Sequence, residues 1–287
     1  MSTETIRLVI PTGRLYDPIL KLLDESGISI PKTAKNYRPK SNDDRFQIKL
    51  LKAANVPKLL ELGAHDIGFS GLDWVRETGA RVTTLLDTGI LPVRVVAAAP
   101  RGANPLEAKR DRPVVVASEY EQLTREFMDS KQIDWTFIRT YGATEVFPPE
   151  DADLIVDNTA TGAALEANRL EIVGELLTST AQFLANPAAM ERPFVRDAVE
   201  DLTLLMNSVL EARRRVLLEI NVDSDRLEQV IALLPAMKSP TIQPLRAEDG
   251  FAVKAAVPTA DVARLLPKLK KAGATDILET NLRRVTP

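Results

Sequence analysis

Apolar residues in the first part of the chain alternate between short continuous runs and runs with helical spacing. Residues 6–10 are apolar except for Arg7 and predict a buried strand, and residues 15–25 carry apolar side chains at helical spacing before Gly27. Further strands are predicted at 46–51, 66–69 and 82–86, with helices at 56–62 and 72–78. This alternation predicts a mainly parallel sheet with helices on both faces.

A second lobe is predicted to begin near Val93. The predicted strands are 93–98, 114–117, 135–139 and 154–156, and the predicted helices are 121–132 and a segment from Ala163. Residues 171–186 read as strands that return to the first lobe, and a helix over 190–215 follows, with three arginines at its end as the helix dipole favours. We therefore expect one lobe from residues 1–92 with 178–213, and another from 93–177.

Residues 214–287 predict a separate small domain. Their order is strand, helix, two strands, helix and strand, which is the split βαβ or ferredoxin-like pattern. Thr259 is the expected N-cap of the second helix, and Gly273 is expected to end it. A domain of this size is able to bind a small effector or a partner, and simple packing explains the pattern equally well.

The composition restricts the chemistry that the chain can perform. The 287 residues have a net charge of −3, no cysteine and one histidine, His65, which is predicted to be a surface or turn residue. Disulfides, thiolate catalysis and zinc–cysteine sites are excluded, and no basic field is available for nucleic acid or an anionic membrane. The absence of a signal peptide and of long apolar runs predicts a cytoplasmic protein. Carboxylates, hydroxyls, amides and basic side chains remain, with magnesium as the fitting metal.

The strongest local signal follows the strand at 154–156. This strand ends in Asp157, and a loop with Thr159, Thr161 and Gly162 leads into an alanine-rich helix. Backbone N–H groups at a helix start suit a phosphate, and an acid at the carboxyl end of a parallel strand suits ribose hydroxyls. The segment is neither a Walker A loop nor G-x-G-x-x-G. A plain strand–turn–helix connection with threonine caps is an equally good physical explanation.

The pattern Asp-x-x-x-Thr-Gly-x-x-Leu after an apolar strand resembles the phosphoribosyl diphosphate loop of phosphoribosyltransferases. Other segments are similar to ATP phosphoribosyltransferase in particular, in the same order and over nearly the whole chain. They are residues 11–15 (Pro-Thr-Gly-Arg-Leu), 66–73 with Glu77, 141–146 with Pro148, 152–153, 232–242 and 270–274. The last two segments resemble the regulatory domain of that family's long form.

This resemblance implies a fold, a reaction and an assembly. The fold is α/β, with a two-lobed catalytic part like a periplasmic binding protein and a C-terminal ferredoxin-like (βαββαβ) regulatory domain at 214–287. The reaction joins C1 of phosphoribosyl diphosphate to N1 of ATP, with magnesium assisting and pyrophosphate leaving. Histidine is the implied feedback inhibitor, and dimers to hexamers are the implied homo-oligomers.

The resemblance also implies a role for individual residues. The expected catalytic residues are Asp157, Glu145 and Asp153. The expected phosphoribosyl diphosphate site consists of Asp157, Thr159, Ala160, Thr161, Gly162, Ala163 and Ala164. The expected nucleotide-binding residues are Arg14, Asp73 and Tyr120, where Tyr120 either stacks on adenine or packs half-buried. The expected histidine-binding residues are Asn221, Ser239 and Thr241, and the magnesium ligands stay unassigned.

Five positions depart from the family pattern. They are Thr12 for lysine, Leu50 for arginine, Asn55 for aspartate, Glu121 for proline and Ala164 for threonine. Each lost cation or hydroxyl at a desolvated phosphate site costs about 1–3 kcal/mol of binding. Two alternatives to the working transferase therefore remain: a divergent or catalytically silent paralogue with a regulatory role, and a small-molecule binding protein on the same two-lobed fold.

Overall fold

The computed structural model describes residues 4–32, 36–108, 111–237, 239–246 and 249–286. Its strands are β1 (Ile6–Pro11), β2 (Phe46–Leu51), β3 (Ile67–Gly71), β4 (Thr83–Asp87), β5 (Val93–Pro100), β6 (Val114–Ser118), β7 (Trp135–Arg139), β8 (Leu154–Thr159), β9 (Leu170–Ser179), β10 (Ala181–Ala185), β11 (Arg215–Asp223), β12 (Thr241–Pro244), β13 (Gly250–Pro258) and β14 (Thr275–Asn281). Its α-helices are α1 (Tyr16–Glu25), α2 (Val56–Glu61), α3 (Leu72–Thr78), α4 (Glu121–Lys131), α5 (Ala163–Ala167), α6 (Pro193–Arg213), α7 (Leu227–Ile231) and α8 (Thr259–Lys271).

The chain divides into two compact units, Met1–Asp24 with Ile28–Val199, and Glu25–Gly27 with Glu200–Pro287. The first unit contains two five-stranded sheets and the second contains a four-stranded sheet. The two-lobed part and the ferredoxin-like domain confirm the predicted fold class. The three predicted domain boundaries stay a prediction.

The first lobe is built on the sheet β2-β1-β3-β10-β4. Strand β1 is parallel to β2 and β3, whereas β10 is antiparallel to β3 and β4. Ile19, Leu22 and Leu23 of α1 are fully buried at the i, i+3 and i+4 spacing that the sequence indicates. The predicted start of this helix at residue 15 is displaced, because Gly13–Leu15 forms a 3-10 turn before α1.

The second lobe is built on the sheet β7-β6-β8-β5-β9. Strands β6, β7 and β8 are parallel, and β5 runs antiparallel to β8 and β9. The chain passes between the lobes twice, at residues 88–92 and at Thr180. The two passages are joined by backbone hydrogen bonds, from the Thr88 amide to the Ala181 carbonyl and from the Ala181 amide to the Ile90 carbonyl, both at 3.0 Å.

The second unit is the antiparallel sheet β12-β13-β11-β14 with α7 and α8. Along β11 the side chains of Val216, Leu218, Ile220 and Val222 are buried, and the intervening ones are partly exposed. This alternation leaves one covered face and one open face, as expected for a ferredoxin-like sheet. Thr259 is the first residue of α8, so the N-cap position falls one residue earlier than expected.

His65 was predicted to be a surface or turn residue, but its side chain is buried. It precedes β3 in an irregular segment, yet it is only 7% exposed, and its Nδ1 atom is buried without a hydrogen-bond partner. Burial lowers the pKa of its imidazole, and nearby Lys49 and Arg7 lower it further. The histidine therefore belongs to the interior rather than the surface.

No helix in the described residues is both long enough and apolar enough to cross a membrane.

Candidate active site

A cavity of about 190 Å³ lies between the two lobes of the first unit. The first lobe contributes Thr12, Arg14, Leu15, Ala53, Gly71, Asp73 and Trp74, and the second lobe contributes Asn158 and Ala160. The two passages and the strand ends beside them contribute Leu91, Pro92, Val93, Ser179, Thr180 and Ala181. The cavity therefore opens where the carboxyl ends of β1, β3 and β8 meet the passages, which is where ligands bind in α/β sheets.

The loop between β8 and α5 has the form that the sequence predicts. Gly162 has φ +84°, a conformation that favours glycine, and it directly precedes α5. Within the loop, Thr159 Oγ1 accepts from the Gly162 amide at 2.9 Å, and Thr161 Oγ1 accepts from the Ala163 amide at 3.4 Å. A hydroxyl that accepts from an amide still has its own proton to donate to an anion. Ala160, Thr161, Ala163 and Ala164 are exposed.

Asp157 lies near the end of β8 with a perturbed carboxylate. Burial, together with the charges of Glu145 and Glu119, raises its pKa to about 6, although the Asn158 amide at 2.7 Å and Arg14 act in the opposite direction. The charge of Glu145 thus acts on the same carboxylate, and the expected catalytic roles of Glu145 and Asp157 stay predictions. A pKa near neutrality is typical of functional carboxylates.

Asp153 does not join this group. It accepts two hydrogen bonds of 2.7 Å from the Arg112 guanidinium and one of 3.0 Å from the Val115 amide. Asp153 lies four residues before Asp157 along an extended strand, a separation of roughly 13 Å. The Asp153 carboxylate therefore joins the residue before β8 to Arg112 and to β6, and its expected catalytic role stays a prediction.

Asp73 and Tyr120 form a buried pair across the lobes. The Tyr120 hydroxyl donates to Asp73 Oδ2 at 2.6 Å, and the ring packs on Trp74 with the centroids 4.7 Å apart. Tyr120 is only 1% exposed, and burial together with the Asp73 charge raises the pKa of its hydroxyl. The packing alternative for Tyr120 fits this geometry, since neither ring face is open for adenine. Asp73 also accepts from Ser179 Oγ at 2.7 Å.

The side chain of Arg14, in the first lobe, contacts the second lobe beside the β8–α5 loop. Its Nη2 donates to Asn158 Oδ1 at 2.8 Å, and Asn158 Nδ2 donates to the Tyr120 hydroxyl at 2.9 Å. The expected nucleotide residues Arg14, Asp73 and Tyr120 are therefore brought together, but Arg14 lies next to Asp157. Asn158 and Ser179 were not predicted from the sequence, although Asn158 is a polar residue that follows the apolar part of β8.

Glu77 makes a further contact between the lobes. Its carboxylate on α3 accepts from the amides of Gln122 and Leu123, at 3.1 and 3.0 Å, at the start of α4. An acid at a helix N-terminus satisfies amides that lack an intrahelical acceptor. Glu77 is one of the residues that resemble the family, but no role was predicted for it. In the structure it caps a helix of the other lobe.

Two of the expected effector residues, Asn221 and Thr241, lie in strands of the second unit, and Ser239 lies just before β12. Asn221 Nδ2 donates to Asp276 Oδ2 at 3.1 Å, while Ser239 and Thr241 are exposed. Thr241 opposes Lys254 of β13, which in turn opposes Glu219 of β11. Directly opposed residues share a face, and Asn221 is two residues along β11 from Glu219, so Thr241 and Asn221 lie on the same face, about 12 Å apart.

The departures from the family pattern fall in different surroundings. Thr12 lines the cavity, whereas Leu50 is buried in β2 and packs in the core of the first lobe. Glu121 is the first residue of α4 and pairs with Arg139 at 2.6 Å. Asn55 and Ala164 are exposed. Only Thr12 among the five therefore changes the lining of the cavity.

The described residues contain no group of three histidine, aspartate or glutamate side chains placed to hold a metal ion. Magnesium keeps several waters and is often held by one or two carboxylates plus substrate phosphates. The residues present therefore fit a magnesium ion that arrives with a diphosphate better than a cage made by the protein alone.

Comparison with known proteins agrees with this site. The family described as "ATP phosphoribosyltransferase" matches residues 52–208, and the family described as "HisG, C-terminal domain" matches residues 212–284. Among curated relatives, the ATP phosphoribosyltransferase of Chlorobium phaeovibrioides is 33% identical, with 99% of this chain and 98% of the relative covered. That of Thermodesulfovibrio yellowstonii is 34% identical over the whole of both chains.

A solved structure is also similar. The ATP phosphoribosyl transferase (HisG:HisZ) complex from Thermotoga maritima matches with a TM-score of 0.62 and 25% identity, covering 71% of this chain and 99% of that one. Together with the full-length relatives, these matches confirm the family and the enzyme class that the sequence predicts. The chain belongs to the ATP phosphoribosyltransferase family, in the form that carries the C-terminal domain.

Proposed function

We propose that the cavity between the lobes is where this chain transfers the 5-phosphoribosyl group of phosphoribosyl diphosphate to N1 of ATP. The products are phosphoribosyl-ATP and pyrophosphate, and the reaction is the first step of histidine biosynthesis. The observation that carries this assignment is the β8–α5 loop, which follows Asp157 and contributes Ala160 to the cavity that Arg14 also lines.

The phosphoribosyl diphosphate is held by the loop. Residues 159–164 take the 5-phosphate through loop hydroxyls and amides, as the φ of Gly162 allows a close approach of the backbone. Asp157, when ionised, accepts hydrogen bonds from the ribose hydroxyls, and Glu145 helps to orient the ribosyl group. Arg14 is placed to offset the negative charge that develops on the leaving diphosphate.

The reaction needs little covalent chemistry from the protein. Pyrophosphate is a good leaving group, so most of the rate comes from holding N1 of ATP in line with C1 and from charge stabilisation. Magnesium bound with the diphosphate neutralises part of its charge. The apolar lining made by Leu15, Trp74 and Leu91 gives the adenine ring a surface to pack on.

The C-terminal domain is the proposed site of feedback inhibition by histidine. Asn221, Ser239 and Thr241 lie on the open face or at the edge of its sheet, where an amino acid has polar partners. Assembly into dimers and hexamers belongs to the same proposal, and so does a cytoplasmic location. The complex from Thermotoga maritima shows assembly for that protein.

The alternatives differ from the transferase in features of the site. A binding protein for amino acids or sugars needs neither the phosphate loop nor Asp157. A silent paralogue fits the departure at Thr12, since a lysine lost from the cavity wall weakens the binding of a phosphate. Asp157 and the β8–α5 loop, which matches the family pattern except at Ala164, favour the working enzyme.

A direct assay tests the proposal. Purified protein receives ATP, phosphoribosyl diphosphate, magnesium and pyrophosphatase, and the absorbance of phosphoribosyl-ATP is followed with and without histidine. We expect product from the wild type and from Asp151→Asn, an exposed acid of the same lobe. Asp157→Asn should lose most activity. Product formation that histidine does not inhibit would contradict only the proposed feedback inhibition by histidine. Protein that binds phosphoribosyl diphosphate in calorimetry and makes no product would be a silent paralogue.

A further inference from the structure

A single chain of hydrogen bonds runs from the buried interior to the phosphate loop. Ser179 and Tyr120 both donate to Asp73, Asn158 donates to Tyr120, and Arg14 donates to Asn158, with donor–acceptor distances between 2.6 and 2.9 Å. Asp73 and Tyr120 are buried, whereas Arg14 is exposed. These hydrogen bonds therefore link a buried pair at the base of the cleft to an exposed cation.

The direction of each bond in this chain is fixed. A guanidinium has donors only, so Asn158 must accept from Arg14 through its Oδ1 atom. The amide NH₂ of Asn158 is then left to donate to the Tyr120 hydroxyl, whose proton goes to Asp73. An asparagine accepts at one end and donates at the other, while leucine does neither and an ionised aspartate only accepts. The position of Asn158 therefore demands an amide.

This row of hydrogen bonds also connects one lobe to the other. Arg14 and Asp73 belong to the first lobe, Tyr120 and Asn158 belong to the second, and Ser179 ends β9 where the backbone returns. Asn158 is the member that contacts both the buried pair and the cation beside Asp157. Hydrogen bonds in such a row polarise one another in a low-dielectric interior, so the loss of one member weakens the others.

We propose that Asn158 is a positioning residue for phosphoribosyl transfer, which holds Arg14 beside Asp157 and ties that placement to the buried Tyr120–Asp73 pair. An arginine on the surface otherwise samples many rotamers, and fixing it in advance removes that entropic cost from substrate binding. This assignment rests on the proposed function for the identity of the substrate.

The electrostatics of Asp157 give the proposal a separate readout. The charged groups that act on this carboxylate are Glu145 and Glu119, which raise its pKa, and Arg14, which lowers it. If Arg14 loses its tether, its lowering effect diminishes and the pKa of Asp157 rises. Asn158 Nδ2 also lies 3.4 Å from Asp157 Oδ1, so only the part of the pKa rise that disappears in an Arg14→Met background reports the tether on Arg14.

The test is a double-mutant cycle with Asn158→Leu and Arg14→Met, measured as kcat/KM for phosphoribosyl diphosphate. Loss of a hydrogen bond to a charged group predicts a fall of roughly tenfold or more for Asn158→Leu. In the Arg14→Met background the same change should have little further effect, because its partner is gone. The acid limb of the pH profile of Asn158→Leu should move to higher pH.

Asn186→Leu serves as the structural control. Asn186 donates to the Leu60 carbonyl at 2.6 Å, caps a turn in the first lobe and is buried outside the cavity lining. This variant should lower the melting temperature without moving the pH profile. If Asn158→Leu does not fold, Tyr120→Phe replaces it in the cycle, since it removes the anchor of Asn158 and keeps the ring; it should again couple to Arg14→Met.

Multiplicative losses in the cycle, or an unchanged pH profile in Asn158→Leu, would overturn the proposal. A failure of the proposed function looks different, since the wild type would then give no product. In that case the cycle is run on the calorimetric Kd for phosphoribosyl diphosphate. Coupling of Asn158 to Arg14 in that Kd supports the positioning role, and independent effects refute it.

Discussion

The hydroxyl of Ser179 donates to Asp73 Oδ1 at 2.7 Å and accepts from the Asp73 backbone amide at 3.0 Å. These residues are 106 positions apart in the chain. The contact joins the first turn of α3 to the second passage between the lobes, and it satisfies one oxygen of a buried carboxylate. Asp73 therefore has a structural role at the base of the cleft besides any contact with a nucleotide.

We expect Ser179→Ala to destabilise the protein. The variant leaves the Asp73 oxygen and the Asp73 amide short of a partner in a buried place, which costs about 1–3 kcal/mol of unfolding free energy. Urea denaturation measures this loss. Ser130→Ala is the matched control, since Ser130 is exposed and donates only to the Phe127 carbonyl within its own helix. Equal midpoints for the two variants would contradict the role given to Ser179.

The binding of phosphoribosyl diphosphate should weaken as the pH falls through about 6, the raised pKa of Asp157. Only the ionised carboxylate accepts from two ribose hydroxyls, so the active form is lost by protonation, and above the pKa the affinity should be constant. KM for phosphoribosyl diphosphate, measured from pH 5 to 8, tests this. Asp157→Asn should have a higher KM with a flat profile. A wild-type KM that does not change across pH 6 would be inconsistent with this assignment.

Much of the fold follows from local patterns, and the features that were missed depend on distant neighbours. The alternation in β11 and the Asp157–Gly162 loop can be predicted from the sequence, because the residues that define each of them are close together in the chain. The partners of Tyr120 are 47 positions before it and 38 after it, so no spacing in the sequence relates them. The burial of His65 likewise depends on which elements pack over a segment that reads as a turn.

The lowered pKa of His65 predicts that the folded state becomes less stable in acid. Its pKa is lowered in the folded state, first by burial and then by Lys49 and Arg7, with Arg38 contributing and Asp66 opposing. The unfolded chain therefore binds the proton more readily, so the stability from the neutral imidazole is complete above about pH 6.5, the unfolded value, and is lost as the pH falls below it. His65→Leu should reduce the fall in melting temperature between pH 7 and pH 5, and an identical fall in both proteins would refute this.

Gly71 leaves no space for a side chain beside the buried pair. A Cβ atom added there would lie 2.0 Å from Asp73 Oδ1, and the φ of −72° means that the obstacle is this contact rather than backbone strain. Gly71→Ala must displace the carboxylate from Ser179 and Tyr120, which we expect to cost about 2–3 kcal/mol of unfolding free energy.

The partner of that clash can be removed as well. In an Asp73→Ala background the oxygen that meets the new methyl group is absent, so Gly71→Ala should then cost well under half of what it costs in the wild type. Urea denaturation of the four proteins gives the coupling energy directly. Strictly additive losses would mean that the alanine methyl group is accommodated elsewhere, and that the Asp73 carboxylate keeps its place when Gly71 changes.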